Sequence, residues 1–551
     1  MSVTVLQYVL SRLKSIGVDH VFGVPGDFSF PVNDAIVESE EIEWVGACNE
    51  LNAAYAADGY ARIKGVGAVA TTYGVGELSA LSGIAGSYAE HVPIFHLVGA
   101  PSMSARDNRL PVHHTLGNGE FGLFQRMADP VVAASALMTP QNVVPETERL
   151  IRTALYERRP VYMAFPSDYA NEPVCCSGEL LLPPVSDPHQ LKKAVEAIEK
   201  SLAKARTAVA IPGFLVSRLG LNLELEELVN HSGLPFVTMF MGKTVLDETH
   251  PQYAGMYAGA LLDRDVRTFV EGADAVLTIG TLLGDFNTGA FTANLDPGKL
   301  ITIGHHKVTA GGQVFHSVEI ADVVRALAGQ LAKRNWPQIG SLYGKAKASP
   351  KAAGAGPITA ETLYTGLERF FKPGDIIVAD AGTISMGLAF TSMPSGASFQ
   401  AQGLWAAIGW ATPAAFGMAV AAPDKRVILA TGEGAHQLTA QEISQFGRYG
   451  LKPVVIVLNN DGYLIERLLC KDPEAPYNDL AQWRYSELPR VFGCNDWQTA
   501  KVSTVEAFQS AISAAGDATV GTYIEVVTDR YVASGFAEKL HDSKQSLYSA
   551  A

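Results

Sequence analysis

Charged residues are scarce in this 551-residue chain. Asp, Glu, Lys and Arg together make up 18%, against about a quarter in an ordinary soluble domain. The charge that is present leans acidic, with 56 acidic against 42 basic residues and a formal net charge of −14. No basic stripe offsets it, which disfavours nucleic acid or an anionic membrane surface as a partner. Cysteine is scarce too. Cys48, Cys175, Cys176, Cys470 and Cys494 show neither C-x-x-C spacing nor a disulfide framework, so a reducing, cytoplasmic setting is expected. No long apolar run survives unbroken. The most apolar stretch, residues 406–423, is interrupted by Pro413 and by glycines, and no membrane span is expected. The N-terminal MSVTVLQYVLSRLKSIG spaces Val3, Leu6, Val9, Leu10, Leu13 and Ile16 as one face of a helix, with Arg12 and Lys14 among them. It reads as an amphipathic helix, not a signal peptide. No complete G-x-G-x-x-G follows an early strand, which makes a nicotinamide dehydrogenase a poor fit.

Apolar residues, by contrast, reach 48%, enough for a well-buried globule too long for one core. Strand-like runs alternate with helical patterns throughout, which implies doubly wound, mainly parallel sheets. The first set has expected strands at 21–24, 44–48, 68–73, 94–98 and 161–165. The second has them at 208–211, 236–239, 275–279 and 301–303. The third has them at 375–379, 427–430, 453–458 and 522–527. A Pro-rich crossing at 171–190 and the stretch YGKAKASPKAAGAGP at 343–357, poor in bulky apolar residues, read as linkers. Three doubly wound α/β domains are expected, over 1–180, 190–342 and 358–551.

The most informative stretch is 426–467, RVILATGEGAHQLTAQEISQFGRYGLKPVVIVLNNDGYLIER. An apolar run ends in Gly432-Glu433-Gly434. A helical pattern follows, with Leu438, Ile443 and Phe446 apolar and Gln441 and Glu442 on another side. A second apolar run ends in Asn459-Asn460-Asp461-Gly462. Strand, helix, strand is normally a right-handed parallel crossover, which brings both strand ends to one sheet edge, where ligands sit. Glu433 offers an anionic oxygen, Asn460 a neutral one and the Gly462 turn a carbonyl, a hard donor set suited to Mg²⁺ holding a phosphate. Gly434 would let phosphate oxygens approach the backbone. Taken locally, the same residues read equally as a short αβ loop and an Asx-Gly turn.

Gly432-Glu433-Gly434 followed by Asn459-Asn460 resembles the metal–diphosphate motif of thiamine diphosphate (ThDP) enzymes. The continuation through Tyr463-Leu464-Ile465-Glu466-Arg467 is similar to the 2-oxo acid decarboxylases that act on pyruvate, indolepyruvate, phenylpyruvate and branched-chain substrates. The likeness covers essentially the whole length and is densest over 18–125 and 375–490. In one place the chain departs from the pattern: the family motif is Gly-Asp-Gly, and the extra methylene of Glu433 pushes its carboxylate outward.

The resemblance implies the site. Glu50, in Cys48-Asn49-Glu50-Leu51, would be the glutamate that bonds the aminopyrimidine and activates the cofactor; locally it reads as an acid in a helix's first turn. Thr72 and Thr383 would help to seat the cofactor, with Gly434, Ala435, Tyr463 and Ile465 around it. Glu433, Asn460 and Gly462 would bind Mg²⁺. In QGLWAAIGWATP, Ile408 would bend the cofactor and the Ala406 carbonyl would accept from its amine. Asp27, His113, His114 and Glu466 would form the proton network. A doublet alone signals little, since His305-His306 is also one. Ser385 stands where pyruvate-preferring relatives tend to carry a large aromatic residue, and with Ile465 and Leu469 it would line a roomier substrate pocket. The implied reaction is non-oxidative decarboxylation of a 2-oxo acid to an aldehyde and CO₂ through a ThDP ylide, favouring aromatic or bulky substrates. Pyruvate decarboxylation, ThDP-dependent carboligation and a non-catalytic scaffold are the alternatives. The resemblance also implies a homodimer or homotetramer, with Glu50 and the diphosphate site on facing subunits.

Overall fold

The computed structural model describes residues 3–338 and 356–542. Of the expected linker at 343–357, all but Gly356 and Pro357 lies outside the described residues. The described chain forms three sheets but two compact units. One unit takes the residues up to Pro184 together with Trp410–Asp424 and Thr439–Leu451. The other takes Val185–Gly409, Lys425–Leu438 and the residues from Lys452 on.

In the first unit six parallel strands lie side by side in the order Glu43–Gly46, His20–Gly23, Gly67–Thr72, Ile94–Ala100, Val161–Pro166, Ala134–Leu137. The edge strand Ala134–Leu137 was not expected; it is short and only partly buried, so no apolar run marks it. The N-terminal amphipathic segment forms the helix Val5–Ser15, burying Val5, Leu6, Val9, Leu10 and Leu13. The apolar stretch near 406–423 becomes the helix Ala411–Ala421, which packs on the helix Glu50–Lys64 within this unit. Both helices present small residues, and their backbones nearly touch. A Cβ on Gly59 would lie 2.1 Å from the Ala414 carbonyl oxygen, and one on Gly417 would lie 1.8 Å from that of Ala56. Helix Ala411–Ala421 is apolar all round because it is buried all round.

Glu77 is a buried acid in the helix Val75–Ala89 of this unit. Its carboxyl accepts the Gly74 N–H and the Tyr162 hydroxyl, each at 2.8 Å. Burial nevertheless pushes its pKa from 4.5 up to about 7. The folded state therefore favours the protonated form. That stability is fully present below the ordinary carboxyl pKa and is lost as pH rises towards 7, a change of about 3 kcal/mol at most. Glu77→Gln mimics the neutral form. Its thermal midpoint should gain on the parent's as pH goes from 5 to 7.5, whereas a constant difference across that window would show that Glu77 ionises at no cost.

In the second unit, one sheet runs in the order Gln313–His316, Lys307–Ala310, Leu300–Ile303, Ala275–Ile279, Ala208–Pro212, Phe236–Thr238, Tyr253–Met256. Its hairpin 307–316 pairs antiparallel and the rest pair parallel. The other sheet is fully parallel, in the order Ser398–Gln400, Ile376–Ala379, Val427–Gly432, Val454–Asn459, Thr522–Val527, Gln498–Val502. This is the same topology as the first unit's sheet. In each, the order reverses direction beside the first strand, which opens a crevice at the strands' carboxyl ends.

The crossover expected over 426–467 is present, with Val427–Gly432 and Val454–Asn459 as parallel neighbours. Its helix is not continuous. It breaks into Glu433–Thr439, a 3₁₀ turn at Ala440–Glu442, and Ile443–Arg448. The break re-aims the faces: Leu438, expected in the core, is exposed, and Glu442, expected on a polar side, is fully buried. Glu442 accepts the Asn52 amide at 2.7 Å and the Cys48 N–H at 3.2 Å.

Candidate active site

The crevice in the second unit's parallel sheet lies between the turns that follow Ile376–Ala379 and Val427–Gly432. A cavity of about 370 Å³ occupies it, lined by Ala381-Gly382-Thr383, Gly432 to Ala435, Asn460 and Gly462 to Glu466. Gly432 and Gly382 leave the opening: a Cβ on either would meet nothing within 4 Å, and Gly382 has φ +132°. Gly434 serves differently from its expected role. The space of its missing side chain is taken by the Tyr463 ring, 2.4 Å from where a Cβ would sit.

Three oxygens converge at the cavity's edge. The Asn460 side-chain oxygen faces the Gly462 carbonyl oxygen at 3.0 Å and Glu433 Oε1 at 3.2 Å, acceptor against acceptor. Two ligands side by side on Mg²⁺, each about 2.1 Å from it, stand roughly 3 Å apart. The residues present therefore fit an oxygen-coordinated cation. The longer arm of glutamate is accommodated by reaching across to the neighbouring strand's turn, where Oε1 accepts the N–H groups of Asn460 (3.0 Å) and Gly462 (2.9 Å). Burial raises the Glu433 pKa to about 7 despite those bonds, as expected of an acid whose counter-charge is a ligand.

Arg467 holds the turn that supplies this site. An arginine at a helix start is ordinarily a surface charge, but the Arg467 side chain is fully buried and donates to the carbonyls of Pro473, Asp461 and Asn478 and to the Asp479 carboxylate, at 2.8, 3.1, 3.4 and 2.8 Å. Asp461 and Gly462 adopt φ of +61° and +141°. The guanidinium fixes that irregular backbone from below.

A second cavity of about 420 Å³ adjoins the first, sharing Ala381, Gly382, Ile408, Ile465 and Glu466. Its remaining walls are mostly apolar: Phe286, Phe291, Met386, Leu469, Phe536 and Leu540. Ile408 and Ala406 line it, with Ala406 held at φ +52°. Thr383 lines the first cavity, its carbonyl accepting from the Tyr364 hydroxyl at 3.0 Å. Ser385 lines neither; it is buried, with its hydroxyl on the Gly382 carbonyl at 3.0 Å. Met386, the next residue, faces the cavity in its place. Among the expected residues, then, Glu433, Gly434, Ala435, Asn460, Gly462, Tyr463, Thr383, Ala406, Ile408, Ile465, Glu466 and Leu469 share these two adjoining spaces. Phe286, Phe291, Met386, Phe536 and Leu540 come from three segments that no local pattern connects.

The remaining expected residues belong to the first unit. Glu50 opens the helix Glu50–Lys64, and Asn49 caps it by accepting the Asn52 N–H at 2.8 Å. The Glu50 carboxylate lies over Gly76, 3.2 Å from where a Cβ would sit. Thr72 ends its strand with a buried hydroxyl that has no hydrogen-bond partner among the described residues. Asp27 meets both histidines: its oxygens lie 2.5 Å from His113 Nε2 and 3.7 Å from His114 Nε2. The comparison doublet differs. His305 and His306 stack face to face at 3.9 Å, and His306 pairs with Glu319.

Known proteins match in the same places. Family models for the thiamine pyrophosphate enzymes match as an N-terminal TPP binding domain over 3–121, a central domain over 194–331 and a C-terminal TPP binding domain over 380–526. The chain is 38% identical over 522 residues to an alpha-keto-acid decarboxylase of Mycobacterium avium, covering 93% of this chain and 91% of that one. It is 39% identical over 515 residues to pyruvate decarboxylase isozyme 1 of Saccharomyces cerevisiae, covering 91% of each. A solved Mycobacterium smegmatis structure described as a thiamin diphosphate-dependent enzyme shares the fold, with a TM-score of 0.77 at 21% identity over 96% of this chain and 100% of that one. With both halves of the cofactor-binding framework matched, and with relatives this similar over nine-tenths of its length, the chain belongs to the family of thiamine diphosphate-dependent 2-oxo acid decarboxylases.

Proposed function

We propose that this chain decarboxylates 2-oxo acids to aldehydes and CO₂ with ThDP and Mg²⁺, and that it favours aromatic or bulky substrates over pyruvate. The observation that carries the reading is the pair of adjoining cavities, one edged by converging oxygens and one walled by apolar side chains, with Glu466 on both. When bound, ThDP supplies a nucleophilic carbon and a sink for the electrons left behind by CO₂.

The protein's own groups do the rest. Glu433, Asn460 and the Gly462 carbonyl would hold the cation, which would supply positive charge for the diphosphate. Thr72 and Thr383 offer hydroxyl groups to the cofactor. Ile408, which lines both cavities, would be the apolar surface against which the cofactor is positioned, which is catalysis by proximity. Glu50 holds and returns a proton at the pyrimidine ring. Glu466, which lines both cavities, would stand near the carboxyl group that departs as CO₂, and Asp27, His113 and His114 would relay the proton that takes its place on the product carbon; imidazole suits that transfer near neutrality. The second cavity takes the substrate's side chain, and Phe286, Phe291 and Phe536 provide aromatic surface for an aryl tail.

We place the protein in the cytoplasm as a homodimer or homotetramer. The five free cysteines support a reducing compartment, and none of the described helices is long and apolar enough to cross a membrane.

Steady-state kinetics test the substrate reading. kcat/KM should be at least about tenfold higher for phenylpyruvate or indolepyruvate than for pyruvate, the scale that one or two methylene-sized differences in pocket fit provide. Met386→Trp should narrow the gap by filling the apolar cavity. A pyruvate preference in the parent chain would overturn the aromatic assignment while leaving decarboxylation standing. Acyloin in place of aldehyde as the main product would favour carboligation.

A further inference from the structure

Among the described residues, one group of three His, Cys, Asp or Glu side chains is arranged to hold a metal ion: Asp27, His113 and His114, whose ligand atoms all lie within 4.8 Å of one another. We propose that this trio is a transition-metal site, binding Zn²⁺ or a similar borderline cation through two imidazole Nε2 atoms and one carboxylate oxygen. Its donors are not those of the oxygen-lined cation site described above.

Three features support it. First, the donor set is the right kind. Two neutral imidazoles and a carboxylate suit Zn²⁺, Co²⁺ or Ni²⁺ and do not suit Mg²⁺, which seeks oxygen. Second, the ligands are pre-aimed. Adjacent residues in extended chain point to opposite sides, but His114 adopts φ +59°, and both rings face Asp27. The His113 ring stacks on Phe28 at 4.7 Å and 17°, and the His114 ring meets the same Phe28 edge-on at 6.0 Å. Two rings are thus packed on one aromatic side chain, with both Nε2 atoms near the Asp27 carboxylate. Third, the spacing is close. Zinc at about 2.0–2.1 Å from each ligand in a tetrahedron separates them by roughly 3.3 Å. The present separations, 2.5 Å from His113 Nε2 to Asp27 Oδ2 and 3.7 Å from His114 Nε2 to Asp27 Oδ1, straddle that figure, and all the ligand atoms lie within 4.8 Å of one another, so small side-chain rotations would seat the ion. All three side chains are at least partly exposed, so the ion has an entry path and room for water as a fourth ligand. The other doublet, His305-His306, is stacked ring on ring and forms no such trio.

A cation here would tie up the lone pairs that the proposed proton network uses, so micromolar zinc should inhibit turnover. That consequence rests on the functional reading above; binding itself does not.

The test is calorimetric titration of Zn²⁺ into holoenzyme saturated with ThDP and Mg²⁺, repeated with Co²⁺ and read by its visible absorption. The expected result is one equivalent per chain and an intense four-coordinate Co²⁺ spectrum. Affinity should fall at least about tenfold to a hundredfold in His113→Gln and again in His114→Gln, since losing a ligand costs no less than losing an outer-shell partner, while Cys175→Ser with Cys176→Ser leaves it unchanged. These side chains lie at the surface, and ThDP binding and circular dichroism will confirm that the variants fold. No stoichiometric binding, or binding that survives in the His113→Gln, His114→Gln double variant, overturns the site. Binding that follows the histidines without loss of turnover would support the site and refute the relay assigned to them.

Discussion

Glu50→Gln should turn over its 2-oxo acid about a thousandfold more slowly than the parent chain, the middle of the range for losing a positioned proton-transfer group. Its thermal midpoint should hardly move. The two expectations belong together because of where Glu50 sits. The helix it opens is capped by Asn49, whose side chain takes the Asn52 N–H, so Glu50 is not the cap. Its charge beside the helix N-terminus is worth under about 1 kcal/mol. Glutamine keeps the length and one acceptor oxygen over Gly76, so the local packing survives. A thousandfold loss therefore cannot come from unfolding. It must come from the missing acidic proton. Steady-state kcat, a melting curve and ThDP titration separate these effects, and near-parental kcat would remove Glu50 from the mechanism.

The readability of this fold from sequence follows the burial of its strands. Strands inside the parallel sheets, such as Val427–Gly432 and Val454–Asn459, are buried on both faces and appear as continuous apolar runs. The edge strands Ala134–Leu137, Ser398–Gln400 and Gln498–Val502 are short and half-exposed, and nothing in their composition separates them from loops. The hairpin around Gly311-Gly312 did carry a turn signal. The site divides in the same way. Glu433, Asn460 and Gly462 lie at the ends of legible strands, so a parallel crossover brings them together by geometry alone. Arg467 is not legible as an anchor, because arginine is mostly a surface residue; what buries it is the set of carbonyls from the loop at 461–478, which no spacing encodes. The walls of the apolar cavity were illegible for the same reason. Met386, Phe291 and Phe536 meet only through tertiary folding, and Ser385 was chosen one residue away from the side chain that faces the space.

Glu433→Gln should weaken Mg²⁺ binding by about a hundredfold and carry ThDP affinity down with it. The unit charge lost within a few ångströms of the ion is worth a few kcal/mol at an effective dielectric near 20. Glutamine preserves the side chain's length and can still accept the N–H groups of Asn460 and Gly462, so the turn keeps its shape. What disappears is the anion. Without cation, that anion is a liability: burial, with a smaller push from the Asp461 charge, drives the Glu433 pKa up to about 7, which means that an ionised carboxylate there costs stability above neutrality until a positive charge compensates it. The apo form of Glu433→Gln should accordingly be at least as stable as the apo parent at pH 8. Calorimetry of Mg²⁺ with ThDP and thermal melts of the apo proteins should therefore move in opposite directions, cation affinity down and apo stability level or up. If the substitution merely damaged the loop, both would fall together. If cation affinity stayed at the parental value, the converging oxygens of Glu433, Asn460 and Gly462 would not be the binding site. Glu50→Gln supplies the complementary pattern, with cation binding intact and turnover lost. The pair of variants distinguishes the group proposed to anchor the cofactor from the group proposed to activate it.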